Sequence, residues 1–319
     1  MFDVRDSDEH RVWHDPSPPT LNVAILWTLT YADVFDYPLT AQEIHRYLVG
    51  TESSLSRVQY LLDNGGMPDA VSRTGDYFTL RGREEIVGTR RHRASAAADI
   101  WPQAIRFGTA IARLPFVRMV AVTGALSVDN PKVDDDIDYL IVTETGRLWL
   151  CRALLIQFVV KPAAQEGLEL CPNYIFSKRA FTQFRRNLFT AHEIVQMVPV
   201  AGLEIHREFC RRNAWVDRFL PNAYHRSRQV GTKGSAQDGK PPISRIAEAA
   251  LRSPAGAQLE RWEMTRKVRR FEEQNRGHDE VSFSRDLCKG HFGNHGKLVR
   301  EAFLKRLASI AYQRSTLEL

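Results

Sequence analysis

Cysteine is scarce in this 319-residue chain, and the four present show no pairing signature. Cys151, Cys171, Cys210 and Cys288 stand far apart, and none belongs to a Cys-x-x-Cys pair. That spacing excludes a zinc knuckle and a disulfide framework, and leaves buried free thiols as the expectation. No apolar run approaches the roughly 18–20 residues that a membrane span needs, so no membrane partner is expected. The N-terminus lacks the apolar stretch of a secretory signal and is acidic instead, with Asp3, Asp6, Asp8 and Glu9, so a cytoplasmic protein is expected. There is no internal repeat. What is present suits a chain that folds around a core: 43% hydrophobic and 26% charged residues. The balance is basic, with a formal charge of +6 and arginines gathered at Arg81 to Arg93 and Arg261 to Arg276. A basic balance suits a polyanion, either a nucleoside triphosphate or a nucleic acid.

Periodicity divides the chain. Val23, Leu26, Trp27 and Leu29 predict a helix over about 21–34, stopped at Tyr37-Pro38 because the residue before proline avoids the α region. Thr40 with Glu43 three residues later forms a capping box for a second helix, which carries Ile44, Tyr47 and Leu48 and ends at Gly50. A third helix opens at Ser53 or Ser54, with Leu55, Val58, Leu61 and Leu62 on its apolar face. The period then shifts to two on either side of Thr74-Gly75-Asp76, a hairpin signature. Three short helices and a hairpin predict a winged helix-turn-helix over residues 20–93, behind an arm at 1–19. Such a module serves nucleic-acid binding or protein packing. Its third helix offers only Arg57 and Gln59 as base readers, so nucleic acid is the less favoured partner.

An α/β core is expected over residues 94–225. A connecting helix at 94–114 leads to a strand from Val117 to Val122, and a buried strand runs from Ile137 to Thr143. A helix from Arg147 to about Val160, a strand from Leu170 to Phe176, and helices at 190–197 and 203–219 follow. Residues 226–244, rich in glycine, serine and proline, read as a linker. The segment 245–319 reads as helical, with a charged helix at about 243–273 and a last one at about 297–312. The fold class expected is α+β or α/β.

The chemistry lies in one stretch. Val122-Thr123-Gly124-Ala125-Leu126-Ser127 leads through a spacer to Asp134-Asp135-Asp136-Ile137-Asp138, and the next strand opens with that Asp-x-Asp. Alternate residues on a strand share a face, so Asp136 and Asp138 point the same way. Hard oxygen ligands on one face suit Mg²⁺, with Mn²⁺ as the alternative, the remaining positions being filled by phosphate and water. A glycine turn ahead of them lets triphosphate approach the backbone without a Cβ in the way.

At these residues the chain resembles the polymerase-β-like nucleotidyltransferase superfamily, whose pattern is Gly-Ser, a spacer, then Asp-x-Asp on a strand. It also resembles a group of bacterial and archaeal proteins with a nucleotidyltransferase domain. Thr123-Gly124, Asp135-Asp136-Ile137-Asp138 and Gly146-Arg147-Leu148-Trp149-Leu150 carry that likeness, with Leu170-Cys171, Asn173, Thr190 to Met197, Asn213-Ala214-Trp215 and Phe219 to Asn222. The resemblance implies a mixed sheet with flanking helices and transfer of a nucleoside monophosphate from a triphosphate such as ATP, releasing pyrophosphate. The acceptor would be a hydroxyl or amine on a small molecule, RNA or protein. Asp136 and Asp138 would hold the metal, and Thr123, Gly124 and Ser127 would bind the nucleotide; Arg147, in the first turn of the helix after the catalytic strand, either binds triphosphate or holds the fold by an ion pair. Two departures stand out. Ala125 occupies the place of the superfamily's serine, and Ser127 is the substitute. The third carboxylate falls among Glu169, Cys171 and Asn173, with Glu169 slightly favoured as catalytic. The alternatives are a nucleic-acid-binding regulator and an inactive nucleotide-sensing scaffold.

Three further features are weighed. Glu193, beside His192 behind a Thr190 cap, orients substrate or, more in keeping with its position, serves a cap or a buried hydrogen bond. Lys289-Gly290-His291 and Asn294-His295-Gly296 form a donor-rich loop suited to phosphate or acceptor. Trp149, Trp215 and Trp262 are expected in the core.

Overall fold

The computed structural model describes residues 18–64, 70–223, 240–274, 282–289 and 295–317. The acidic N-terminal residues, most of the expected linker, Arg276 and residues 290–294 of the donor-rich loop lie outside the described residues.

The N-terminal unit runs in α-β-α-α-β-β order: α1 (Leu21–Asp33), β1 (Leu39–Thr40), α2 (Ala41–Arg46), α3 (Leu55–Asp63), β2 (Val71–Thr74) and β3 (Tyr77–Leu80). Its antiparallel sheet has the order β1-β3-β2. The capping box forms as expected: the Thr40 side chain accepts from the Glu43 amide, and Glu43 accepts from the Thr40 amide at 2.9 Å. Helix α2 stops at Arg46, short of Gly50. Ser54 caps α3, accepting from the Arg57 amide at 3.3 Å. Ile25, Leu29, Leu39, Ile44, Leu48, Val58 and Phe78 fill the unit's own core.

Three of the arginines gathered at Arg81 to Arg93 are engaged within the protein. Arg83 pairs with Asp33 at 2.9 Å and Asp36 at 2.5 Å. Arg90 pairs with Glu43 at 2.6 Å and lies over the Tyr37 ring. Arg93 donates to the Phe35 carbonyl at 3.1 Å and to Asn130 at 3.2 Å.

A six-stranded mixed sheet follows, in the order β7-β4-β5-β6-β9-β8. Helix α4 (Ile86–Ala112) enters it at β4 (Val117–Val122), which pairs antiparallel with β5 (Ile137–Thr143). A crossover through α5 (Leu148–Leu155), a π turn and α6 (Lys161–Gln165) places β6 (Leu170–Ser177) parallel to β5. Next come α7 (Leu188–Gln196), β7 (Val198–Ala201) and α8 (Leu203–Arg212). Asn187 caps α7 by accepting from the Thr190 amide at 2.8 Å, in place of the expected Thr190 cap. Every other strand pair in the sheet is antiparallel.

Alternation on β5 sorts its residues into two layers. Ile137, Tyr139 and Ile141 pack with α4 and α5, and the Tyr139 hydroxyl donates to the Ala104 carbonyl at 2.7 Å. Leu140 and Val142 pack in the opposite layer with α7, α8 and Tyr31 of α1. Asp138 has the parity of this second layer.

The C-terminal segment clamps both layers. The charged stretch breaks at Pro254 into α9 (Pro242–Leu251) and α10 (Pro254–Gln274). Buried Glu260 of α10 accepts from the amides of Trp149 and Leu150 at 3.0 and 2.8 Å. A carboxylate there complements the positive N-terminus of α5. Strands β8 (Ser282–Phe283) and β9 (Leu287–Lys289) add to the β6 edge, and α11 (His295–Leu317) crosses to the second layer. Trp149 is fully buried and Trp215 partly so. Trp262, by contrast, is 59% exposed, its ring under Arg266, because it lies on the outer face of α10. Among the described residues no helix is long and apolar enough to cross a membrane.

Candidate active site

Strand β4 ends at Val122, and Thr123 still pairs with the sheet, its amide donating to the Asp138 carbonyl at 3.0 Å. Gly124 then turns with φ +65° and ψ −156°, a conformation open to glycine and strained for other residues. The turn brings its Cα against the Asp138 carboxylate, so closely that a Cβ would stand 2.1 Å from Asp138 Oδ2. Asp136 immediately precedes β5, and Asp138 is its second residue. As the strand spacing requires, both carboxylates come together. Ligand atoms of Asp136, Asp138 and Cys171 all lie within 4.8 Å of one another.

The neighbours of this pair on β6 are neutral. Asn173 donates its amide to Asp138 Oδ1, and the Cys171 thiol donates to Asn173 Oδ1 at 2.8 Å. Burial, then the adjacent Asp136 and Glu193 carboxylates, push Asp138 up to about 8, with hydrogen bonds from Asn173 and Cys171 acting the other way. No cation is among those influences. Burial and the same two aspartates raise the Cys171 thiol far above its ordinary value, so it stays protonated at neutral pH. The donor set is therefore two hard carboxylates in a negative local field, which fits a hard divalent cation such as Mg²⁺.

The pair opens into a cavity of about 520 Å³ where three parts of the chain meet. Residues 28–37 of α1 and its following turn, with Tyr47, form one wall. The core contributes Gly124, Ala125, Asn130, Lys132, Asp135 and Tyr174. Helix α7 adds Phe189, His192, Glu193 and Gln196, and the last wall is Lys289 with α11. His192 stacks on Tyr31 with ring centroids 4.1 Å apart, and burial lowers its pKa to about 3, leaving it neutral. Burial raises partly buried Glu193 to about 7, opposed by Lys289.

Several sequence expectations need correction. Glu169 is exposed one residue ahead of β6 and is absent from the cavity lining; its backbone carbonyl accepts from the Ile137 amide at 2.9 Å. Asn173 has the place beside Asp138 that Glu169 was expected to fill. Arg147 begins α5 beyond the far end of β5, roughly 16 Å or more along the strand from Asp138 at about 3.3 Å per residue. There it stacks over the Phe116 ring. Ser127 is buried and donates its hydroxyl to the Gly124 carbonyl at 2.7 Å, bracing the turn. Thr123 is buried too, outside the lining, and its hydroxyl has no hydrogen-bond partner. Of the expected nucleotide ligands, Gly124 alone lines the cavity. Lys289, His295 and Gly296 of the donor-rich loop do reach it. Cys151 and Cys288 are buried free thiols as expected, whereas Cys171 and Cys210 are partly buried. The residues that sequence reasoning missed here are Tyr31, Phe35, Arg93 and Lys132, none of which belongs to a motif.

The titration of the site has a measurable consequence. Asp138 and Glu193 have folded pKa values raised above those of the unfolded chain. Their contribution to stability is therefore full at low pH and lost as pH rises towards 7 and 8. A divalent cation competes with the Asp138 proton. Without divalent ions, the thermal midpoint is expected to fall between about pH 6 and about pH 8.5, and the rise on adding Mg²⁺ to be larger at the higher pH. Equal Mg²⁺ shifts at both values, measured by calorimetry, would rule this out. Compared with family models, with curated proteins and with solved structures, the chain matches none, and the site stands on its geometry.

Proposed function

We propose that the protein is a Mg²⁺-dependent nucleotidyltransferase, moving a nucleoside monophosphate from a nucleoside triphosphate to an acceptor with release of pyrophosphate. The observation that carries this is the Asp136–Asp138 pair, pressed against the Gly124 turn and opening into a cavity of ligand size. Asp136 and Asp138 would hold the cation, which when bound offsets charge on the phosphates. Asn173 fixes the Asp138 rotamer through its amide. Lys132 and Lys289 supply positive charge in the lining for a polyphosphate. Glu193 is the carboxylate placed to accept the acceptor's proton, because it lines the same cavity near Asp138 without belonging to the close cluster. A raised pKa near the working pH suits a general base. In this reading the N-terminal unit is a winged helix and the core has the polymerase-β-like fold.

A nucleotide-sensing scaffold is the second reading, favoured by one observation: Ala125 stands at the serine place and the Ser127 hydroxyl is engaged by the Gly124 carbonyl. The test uses each α-phosphate-labelled nucleoside triphosphate with Mg²⁺ and cell extract. Wild type should transfer label. Glu193→Gln should lower transfer by on the order of 10²-fold with Mg²⁺–nucleotide binding kept. Glu169→Gln should stay within about threefold of wild type, since the exposed side chain acts on nothing in the cavity. Binding without transfer in wild type would favour the sensor.

A further inference from the structure

We infer that the acceptor is a small, ring-bearing alcohol, held in the cavity between α1, α7 and α11, and that the N-terminal unit is the wall of that pocket. This rests on the nucleotidyl-transfer reading. In the transfer the acceptor oxygen forms a bond to the α-phosphorus, and the bond from that phosphorus to the bridging oxygen of the β-phosphate breaks. Pyrophosphate leaves with the electron pair, and the acceptor's proton passes to Glu193.

The first ground is that the wall is fixed to the metal-binding loop. Tyr37 donates its hydroxyl to the Val128 carbonyl at 2.8 Å, and Asn130 donates to the Phe35 carbonyl at 3.0 Å. Trp101 donates to Asp129 at 2.7 Å, so α4 holds the same loop. These bonds pin the turn after α1 directly beside the segment that leads to Asp136. A module that carried nucleic acid on its outer face would not need its inner helix built into the reaction chamber.

The second ground is closure. Helix α11 lies across both remaining sides, with Arg306 pairing to Asp33 of α1 at 2.7 Å and the Phe303 ring 6.0 Å from Tyr31. At its other end His295 meets the Phe189 ring of α7 at 5.8 Å. A chain of RNA or protein needs an open track to the reacting phosphate, and α11, packed on α1 and α7, borders the cavity on this side. A cavity of about 520 Å³ is of small-molecule size, so an acceptor that shares it with the nucleotide's phosphates has to be small.

Charge is the third ground. Residues 20–93 contain nine acidic residues against eight arginines and no lysine. Arg83, Arg90 and Arg93 are engaged by Asp33, Asp36, Glu43 and the Phe35 carbonyl, and Arg73 by Asp63; Arg57, Arg81 and Arg91 are exposed on a unit whose acids outnumber its arginines. Backbone-tracking nucleic-acid surfaces need outward cations. The pocket chemistry points to a neutral alcohol rather than a charged amine. Tyr31, Phe35, Tyr47 and Phe189 supply rings, and His192 is neutral. Away from the metal pair, Asp36 is paired with Arg83, Asp135 accepts from the Lys132 amide at 2.8 Å, and Glu193 has the Lys289 cation acting on it.

The test offers the full chain labelled nucleotide, Mg²⁺ and three separate acceptor pools: an ultrafiltrate of cell extract free of RNA and protein, purified total RNA, and the protein fraction. Label should appear on the ultrafiltrate alone and resist nuclease and protease. The product should retain label under conditions that cleave a phosphoramidate, as an ester does. Ala302→Trp, which fills the cavity from α11, should lower that labelling by on the order of tenfold. Phe189→Leu should raise the acceptor KM by several-fold, and both variants should keep Mg²⁺–nucleotide binding within about twofold. Label on RNA or protein, or an acid-labile phosphoramidate, overturns this inference and leaves nucleotidyl transfer standing. Absence of both transfer and Mg²⁺–nucleotide binding in wild type overturns both together.

Discussion

Asp138→Asn is expected to abolish transfer, by on the order of 10³-fold or more, while leaving the fold intact. The factor corresponds to the several kcal/mol of charge stabilisation that a cation held by this carboxylate supplies. Asparagine has the same shape, and its Oδ1 can still accept from Asn173, so the rotamer and the packing survive. It also removes a carboxyl that burial, and then repulsion from Asp136 and Glu193, push up to about 8. The variant should therefore melt no lower than wild type without divalent ions, and higher at about pH 8.5, where the wild-type carboxylate is charged. Its midpoint should not respond to Mg²⁺. Calorimetry with and without Mg²⁺, beside the labelling assay, checks each part. A variant that keeps the Mg²⁺ shift would place the cation elsewhere. A variant that melts lower at high pH would mean that the carboxylate serves the fold.

The parts of the fold legible in the sequence are those with a local cause. The Thr40–Glu43 box, the Ser54 cap and the hairpin around Gly75 each depend on a few adjacent residues, and each forms. Strands β4 and β5 were legible because nearly every position in them is buried, and an unbroken apolar run marks such a strand. Strands β7, β8 and β9 were not, having only four, two and three residues, too few for a period to register. Helix α4 begins at Ile86, not near 94, because its first turns are held by Arg90 and Arg93 reaching across to Glu43 and Phe35. Charged residues that pack through long-range pairs leave no apolar stripe to read.

The site divides in the same way. Asp136 and Asp138 were legible because period two sets their common face. Glu169 lies one residue ahead of β6, where its side chain is exposed, and further along, β6 carries a bulge. Asp138 faces Cys171 while Leu140 faces Tyr174, so β6 fits one extra residue opposite the Asp138 neighbourhood. Asn173, offered by the count along the strand beside Glu169 and Cys171, is the residue that hydrogen-bonds Asp138, and the register that decides among the three is not written in the count. Glu193 and the aromatic wall come from α7 and α1, distant in sequence. Alternation fixes the face to which Asp138 points but not the helix that covers that face.

Gly124→Ala should damage the aspartate pair and the fold together, where Asp138→Asn spares the fold. The added Cβ would fall 2.1 Å from Asp138 Oδ2 and 3.0 Å from its Cγ, so the carboxylate must swing away from Asp136 or the turn must move. With φ at +65° and ψ at −156°, alanine also adopts a strained conformation, costing about 1–3 kcal/mol. The expected result is a thermal midpoint lower by several degrees, loss of the Mg²⁺ response and transfer reduced by at least about 10²-fold. Gly82→Ala separates the two causes. Gly82 also has positive φ, +80°, but a Cβ there meets nothing within 4 Å. That variant should melt somewhat lower, by about 1 kcal/mol, and keep full Mg²⁺ response and activity. If Gly124→Ala behaved like Gly82→Ala, the turn would matter only for its backbone shape. If it loses the cation as well, the glycine is there because the Asp138 carboxylate occupies the space of its missing side chain. That is a different reason from the phosphate approach expected of such a turn, and it makes the spacing between glycine and Asp-x-Asp a packing requirement of the metal site itself.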